Sequence, residues 1–261
     1  MFNFFSSPSY LVKFCRPEHN ILNRCHTIRF GTLEYYRELE SKLLIADKEE
    51  GRESTDIVSV DSTNASPQVK EMFPILKGAN VTIQYCKSII TAQNCWIWCC
   101  SLIPQSTNDD ELASKGKEFD DGYTSWFGIT NRFHFAERLN DLLANSITVR
   151  DVVAESHKKL IENFTIREMN EIRVACHHNV VEYTDKKAHI VDKGQVKNYS
   201  DSKLSDFLRP IFIKPKTFAH NNEYRFAFWL QHPLHGIIPV QKDPIDLPIF
   251  PISEYQSLNK L

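Results

Sequence analysis

The chain has 261 residues, 42% of them hydrophobic, enough to bury a full core in one large domain or one domain with an insertion. A formal net charge of −2 excludes a surface built throughout to grip nucleic acid, though not a local basic patch. The seven cysteines are odd in number and include no CxxC pair, which argues against a zinc ribbon and for reduced thiols.

The opening "MFNFFSSPSYLVKF" is short, lacks a basic start and is broken by Pro8, so it does not read as a signal peptide. No stretch approaches the roughly 18 uninterrupted apolar residues of a membrane helix, and the expectation is a cytoplasmic protein without membrane contact. Strands are predicted at 10–16 and 26–31, with a turn or short helix between them. A helix then begins at "TLEYYRELES", with Thr32 as its N-cap. "IADKEEGRESTD" reads as an exposed loop ending near Ile57. A helix over 67–76 precedes two strands, "NVTIQYC" and "KSIITA", and the apolar strand "CWIWCCSLI", where cysteine acts as a small hydrophobe.

Residues 104–121 are polar and suit a mobile surface loop. "GYTSWFGIT" returns to strand, and "NRFHFAERLNDLLANS" keeps Phe135, Leu139, Leu142 and Leu143 on one helical face. "VRDVVAESHKKLIENF" reads as one further helix, and the stretch up to "VDKG" as a hairpin turning at "YTDKKA". "SDSKLSDFL" reads as a short helix capped by Ser200 or Ser202, and "PIFIKPKTF" as extended chain between prolines. The strand "EYRFAFWL" and two proline-rich edge strands, "GIIPV" and "LPIFP", close the chain. The fold class that follows is α+β: a mixed or mostly antiparallel sheet with inserted helices, in a single domain over 1–261 with a helical insertion at about 132–170. No GxGxxG after a strand, no P-loop and no GxSxG is present.

Five groups of residues can carry chemistry. Glu223 and Arg225 stand two apart at the start of an apolar strand, so they share a face. They can form a buried ion pair. Alternatively, Glu223 can bind a ribose hydroxyl or stabilise an oxocarbenium-like centre while Arg225 holds it or takes a phosphate. Arg209, Lys214, Lys216 and His220 form a cationic run that can receive phosphates or simply be solvated. In "IRFGTLEYYR" a strand ends at Gly31 and a helix starts near Thr32. Its N–H groups can hold an anion, and Tyr35 or Tyr36 can stack on a ring or pack on the sheet. Asp47, Glu49 and Glu50 can bind a divalent cation, although a solvated acidic loop fits them better. His177 and His178 are adjacent on a predicted strand and point to opposite faces, which disfavours a shared metal.

"IRFGTLEYYRELESKLLIADKEEG", "WIWCCSL", "YTSWFGIT" and "KPKTFAHNNEYRFAF" together resemble a bacterial phage-defence-associated family related to the AbiGi abortive-infection proteins. The resemblance runs in order from about Tyr10 to Phe228. It implies an anti-phage or toxin-like effector, with a phage or defence-system protein as a partner. The strand layout is also similar, more weakly, to ADP-ribosyltransferases, whose split sheet holds NAD as substrate. That likeness implies an NAD-using transferase or glycohydrolase with Glu223 as the catalytic carboxylate. Lys13 takes the first-strand place, where those enzymes carry histidine or arginine. Gly31, Thr32 and Tyr35 fall near the nicotinamide wall, with Tyr36 as an alternative stacking ring and Arg225 as the partner of Glu223. Lys13, Arg29 or Lys214 would hold phosphates. The contrasting expectation is a subunit that binds a nucleotide, a nucleic-acid end or a protein without turnover.

Overall fold

The structure is a computed structural model that describes residues 9–23, 25–39, 51–78, 80–184, 188–197, 208–251 and 258–259. In chain order the first elements are β1 (Ser9–Cys15), β2 (Thr27–Thr32), α1 (Leu33–Leu39), β3 (Arg52–Asp61), α2 (Pro67–Met72), β4 (Thr82–Thr91), β5 (Trp96–Pro104), α3 (Asp109–Phe119), β6 (Ser125–Ile129) and α4 (Arg132–Ser146). There follow α5 (Val149–Val152), α6 (Glu155–Glu162), α7 (Ile166–Glu171), β7 (Arg173–Val180), β8 (Glu182–Thr184), β9 (Ala188–Asp192), β10 (Gln195–Lys197), β11 (Ile213–Pro215), β12 (Glu223–His232), β13 (Gly236–Ile238), β14 (Ile245–Pro248) and β15 (Leu258–Asn259). The class is α+β, as the sequence predicts.

Two compact units emerge. The first comprises Met1–Lys48, Gln93–Val181 and Phe218–Leu261; the second comprises Glu49–Ala92 and Glu182–Thr217. Residues 132–170, expected as an insertion, lie wholly within the first unit.

The first unit is built on an antiparallel sheet of nine strands among the described residues. Its centre is β12, which pairs β5 on one edge and β7 on the other. The far edge of β5 is shared. β1 takes its later half, from Val12↔Ser101 to Ser9↔Pro104, and β2 takes its start, with Gly31↔Ile97 and Thr32↔Trp96. The ladder therefore forks between Ile97 and Ser101. Beyond β1 lie β6 and β15, while β14 extends β2.

Helix α4 covers one face of this sheet. Phe135, Ala136, Leu139, Leu142 and Leu143 fall at helical spacing and join Trp98, Phe127, Phe226 and Phe228 in one core. The rings meet edge to face or tilted: Trp98–Phe135 at 5.1 Å, Phe135–Phe226 at 5.6 Å and Trp98–Phe226 at 5.8 Å. Burying one such side chain stabilises the fold by about 1.5–3 kcal/mol. On the opposite face Val12, Phe14 and Ile103 pack against Leu112 of α3.

The second unit holds a sheet in the order β10-β9-β3-β4 and a parallel pair, β11 with β8. Its small core joins Ile57, Val60, Val69, Leu76 and Val191.

Several expectations are corrected. Strand begins at Arg52, so the loop predicted to run to Ile57 ends earlier. "NVTIQYC" and "KSIITA" are parts of one strand, β4, paired along β3; Tyr85, at φ 48°, distorts the strand without ending it. Among the described residues the strands flanking "YTDKKA" do not pair with each other as predicted: β7 pairs β12, β8 pairs β11, and β9 pairs β3 and β10. The real hairpin is β9–β10, turned by Lys193 and Gly194 at φ 48° and 76°, the double positive φ of a type I′ turn. A side chain at Gly194 would also strike the Asn64 carbonyl oxygen, at 2.0 Å. The helix expected over 149–164 is two short ones, α5 and α6, with α7 following beyond it. The stretch "PIFIKPKTF" is partly extended, with 3-10 turns at Arg209–Ile211 and Lys216–Asn221 around β11. The helix expected at "SDSKLSDFL" lies mostly outside the described residues.

The largest correction is at 104–121, which holds the helix α3. Its start is a capping box: Asn108 Oδ1 accepts the Glu111 N–H at 3.0 Å, and Glu111 Oε2 accepts the Asn108 N–H at 3.1 Å. Replacing Asn108 with Ala should destabilise the protein by about 1 kcal/mol, read from the urea-denaturation midpoint at unchanged m-value.

Candidate functional site

The residues singled out by sequence gather mainly on one side of the first unit's sheet. Asn222, in the left-handed region at φ 44°, turns the chain into β12, and its carbonyl accepts the Leu102 N–H at 2.7 Å. Glu223 thereby stands opposite Ser101, and Arg225 opposite Cys99. Both members of the pair are buried, Arg225 at 0% and Glu223 at 7% exposure. The Arg225 Nε and Nη2 groups both donate to one carboxylate oxygen, Glu223 Oε1, at 2.8 and 2.7 Å. A guanidinium so placed offsets the desolvation cost of the carboxylate and fixes its direction.

Tyr36 joins this pair. Its ring lies over Gly31: a side chain at Gly31 would meet Tyr36 Cε2 at 2.3 Å. The Tyr36 phenol is pushed well above the usual tyrosine range. Burial is the main cause, with the neighbouring Cys99, Glu223 and Tyr123 adding to it and Arg225 opposing it. The phenol therefore stays protonated, a hydroxyl donor within electrostatic range of the buried carboxylate. Arg29 lies two residues before Gly31 on β2 and so on the same side. It is exposed, faces Asp246 at 3.8 Å and lies 5.7 Å from the Tyr35 ring centroid. Tyr35 in turn meets Tyr36 edge to face at 5.6 Å.

Two predicted roles change. The helix start after Gly31 is closed to an anion, because its first N–H groups are taken: Leu33 N–H by the Cys95 carbonyl, Glu34 N–H by Asn94 Oδ1 and Tyr35 N–H by Thr32 Oγ1. Thr32 is thus the N-cap, and its hydroxyl also donates to the Lys242 carbonyl.

Lys13 does not join Glu223. It stands opposite Phe127 and lies over the Trp98 ring at 4.9 Å, on the α4 side of the sheet, whereas its neighbours Val12 and Phe14 face α3. Strand alternation turns it away. Lys13 Nζ donates to the Cys99 carbonyl at 2.7 Å.

The cationic run divides. Arg209, Lys214 and Lys216 belong to the second unit and His220 to the first. Arg209 is buried against Glu53 at 3.0 Å, Lys214 is buried on β11, and Lys216 is exposed. Asp47, Glu49 and Glu50 lie outside the described residues. His178 faces Tyr224 and Phe226 on the α4 side, while His177, opposite Ala227, faces the other way. Among the described residues no three His, Cys, Asp or Glu side chains are grouped to hold a metal.

Sequence reasoning missed Cys99 and Tyr123, and the register partner Ser101. The alternation of "WIWCCSL" against "EYRFAF" carried the signal for Cys99 and Ser101, since it puts both on the charged face once the strands pair. Comparison with known protein families, curated proteins and solved structures gives no match.

Gly31→Ala should cost about 1–3 kcal/mol, because the methyl group must displace the Tyr36 ring. The double variant Gly31→Ala/Tyr36→Ala should lose less than the sum of the two single variants. Denaturant titration of all four proteins measures that coupling.

Proposed function

We propose that the protein is a defence- or toxin-class effector acting on NAD or a related nucleotide through Glu223. The carrying observation is the buried carboxylate, gripped through one oxygen by two N–H groups of a fully buried arginine. In this reading the glycosidic C–N bond breaks, nicotinamide leaves with the bonding pair, and the ionised Glu223 stabilises the positive charge that develops on the ribose. Water or an acceptor side chain then attacks the same carbon. Arg225 holds Glu223 in place, Tyr36 offers a hydroxyl donor, and Arg29 with Tyr35 supplies a phosphate contact beside an aromatic face. The defence class rests on the resemblance of the ordered motifs to those of the AbiGi abortive-infection proteins. A binding role without turnover is favoured by one observation: Lys13, the expected phosphate holder, lies on the far side of the sheet.

Purified protein is incubated with labelled NAD and cell lysate, and both transferred label and released nicotinamide are counted. Glu223→Gln should lower turnover about 100-fold or more. Breaking a buried pair can itself cost about 3–5 kcal/mol, so the Tm of each variant is measured first, and Tyr36→Phe serves as a milder change. Equal turnover in wild type and a folded Glu223→Gln would sink the catalytic reading. NAD-dependent stabilisation without product would support binding alone.

A further inference from the structure

We propose that the α4 side of the same sheet carries a second site, separate from Glu223, which binds the phosphate of a mononucleotide through Arg132 and His178. Tyr224 forms its floor and Phe133 its rim. Tyr224 alternates with Glu223 and Arg225 on β12, so it faces the opposite way. It is 2% exposed, and its hydroxyl lies 2.7 Å from His178 Nδ1. Burial pushes the Tyr224 phenol up to about 12, although the neighbouring Arg132 pulls it down. His178 is pushed below the usual histidine range by burial first, then by the charges of Arg132 and His177. The phenol and the neutral imidazole share this hydrogen bond at Nδ1, either atom being able to donate, and the other ring nitrogen, Nε2, takes no part in it.

Arg132 lies beside this pair. Its guanidinium is 5.9 Å from the Tyr224 ring centroid and 5.2 Å from that of Phe133, and its charge reaches both the Tyr224 phenol and the His178 ring. Among the described residues no carboxylate is paired with Arg132, whereas Arg138 on the same helix has Asp141 at 2.9 Å.

The result is a cluster of donors without an acid, the pattern that receives a dianion. Phe133 adds the ligand class. It is 61% exposed at the edge of the cluster and meets His178 at 5.1 Å, edge to face. An exposed ring beside a phosphate cradle suits a planar base joined to that phosphate.

Calorimetric titration with inorganic phosphate, adenosine monophosphate and adenosine tests the site. Adenosine monophosphate should bind most tightly, and Arg132→Gln should weaken it about 10-fold or more. Phe133→Ala should weaken adenosine monophosphate but not inorganic phosphate. Arg167→Gln, the same charge change on α7, should alter neither. Wild-type protein that binds neither phosphate compound at about 10 mM overturns the proposal. So does binding that survives Arg132→Gln, including the case where Arg29→Gln abolishes it, which would move the ligand to the Glu223 side.

Discussion

The pairing of β5 with β12 is the constraint on which the rest of the structure depends. Register runs from Glu223↔Ser101 to Phe228↔Trp96, and nearly every residue of the two strands is buried or half-buried. Each strand alternates strictly between two covered faces. A slip of one residue would drive Glu223 and Arg225 into the aromatic core and turn Phe226 and Tyr224 towards Tyr36. The charged pair and the ring cluster therefore specify the same register from opposite sides. That is why a carboxylate and a guanidinium can open one of the most apolar stretches of the chain: they share a face with each other and not with the aromatic core.

Much of this was legible in the residues. The helical spacing of Phe135, Leu139, Leu142 and Leu143 predicts α4 and its buried face; the structure adds Asn131 as its cap. The Glu223–Arg225 contact follows from strand alternation alone. The helix start at Thr32 is equally plain, but not the loss of its anion-binding capacity. That depends on Cys95 and Asn94, which are remote in sequence and supply the acceptors.

The failures have physical causes too. Polarity hid α3, because a helix with acids in its first turn and one buried leucine looks like loop until Asn108 and Glu111 are read as a capping box. Lys13 falls on the face opposite to the expected one because motif order says nothing about which face a strand presents; only pairing with β6 and β5 decides it. The hairpin was set at the wrong turn because "YTDKKA" is rich in polar residues, while Lys193–Gly194 has the backbone that a two-residue loop demands.

The fork in the ladder beside β5 has a consequence for which substitutions the chain can accept. Among the described residues neither β1 nor β2 pairs β5 between Ile97 and Ser101, and the Cys99 carbonyl accepts from the Lys13 side chain. A peptide bond's usual partner has been replaced by an alkylammonium reaching across from the next strand. Methionine or leucine at position 13 would fill the space yet strand an oxygen away from water, a penalty of about 1–3 kcal/mol. Sequence drift at that position is therefore confined to side chains that are both long and able to donate.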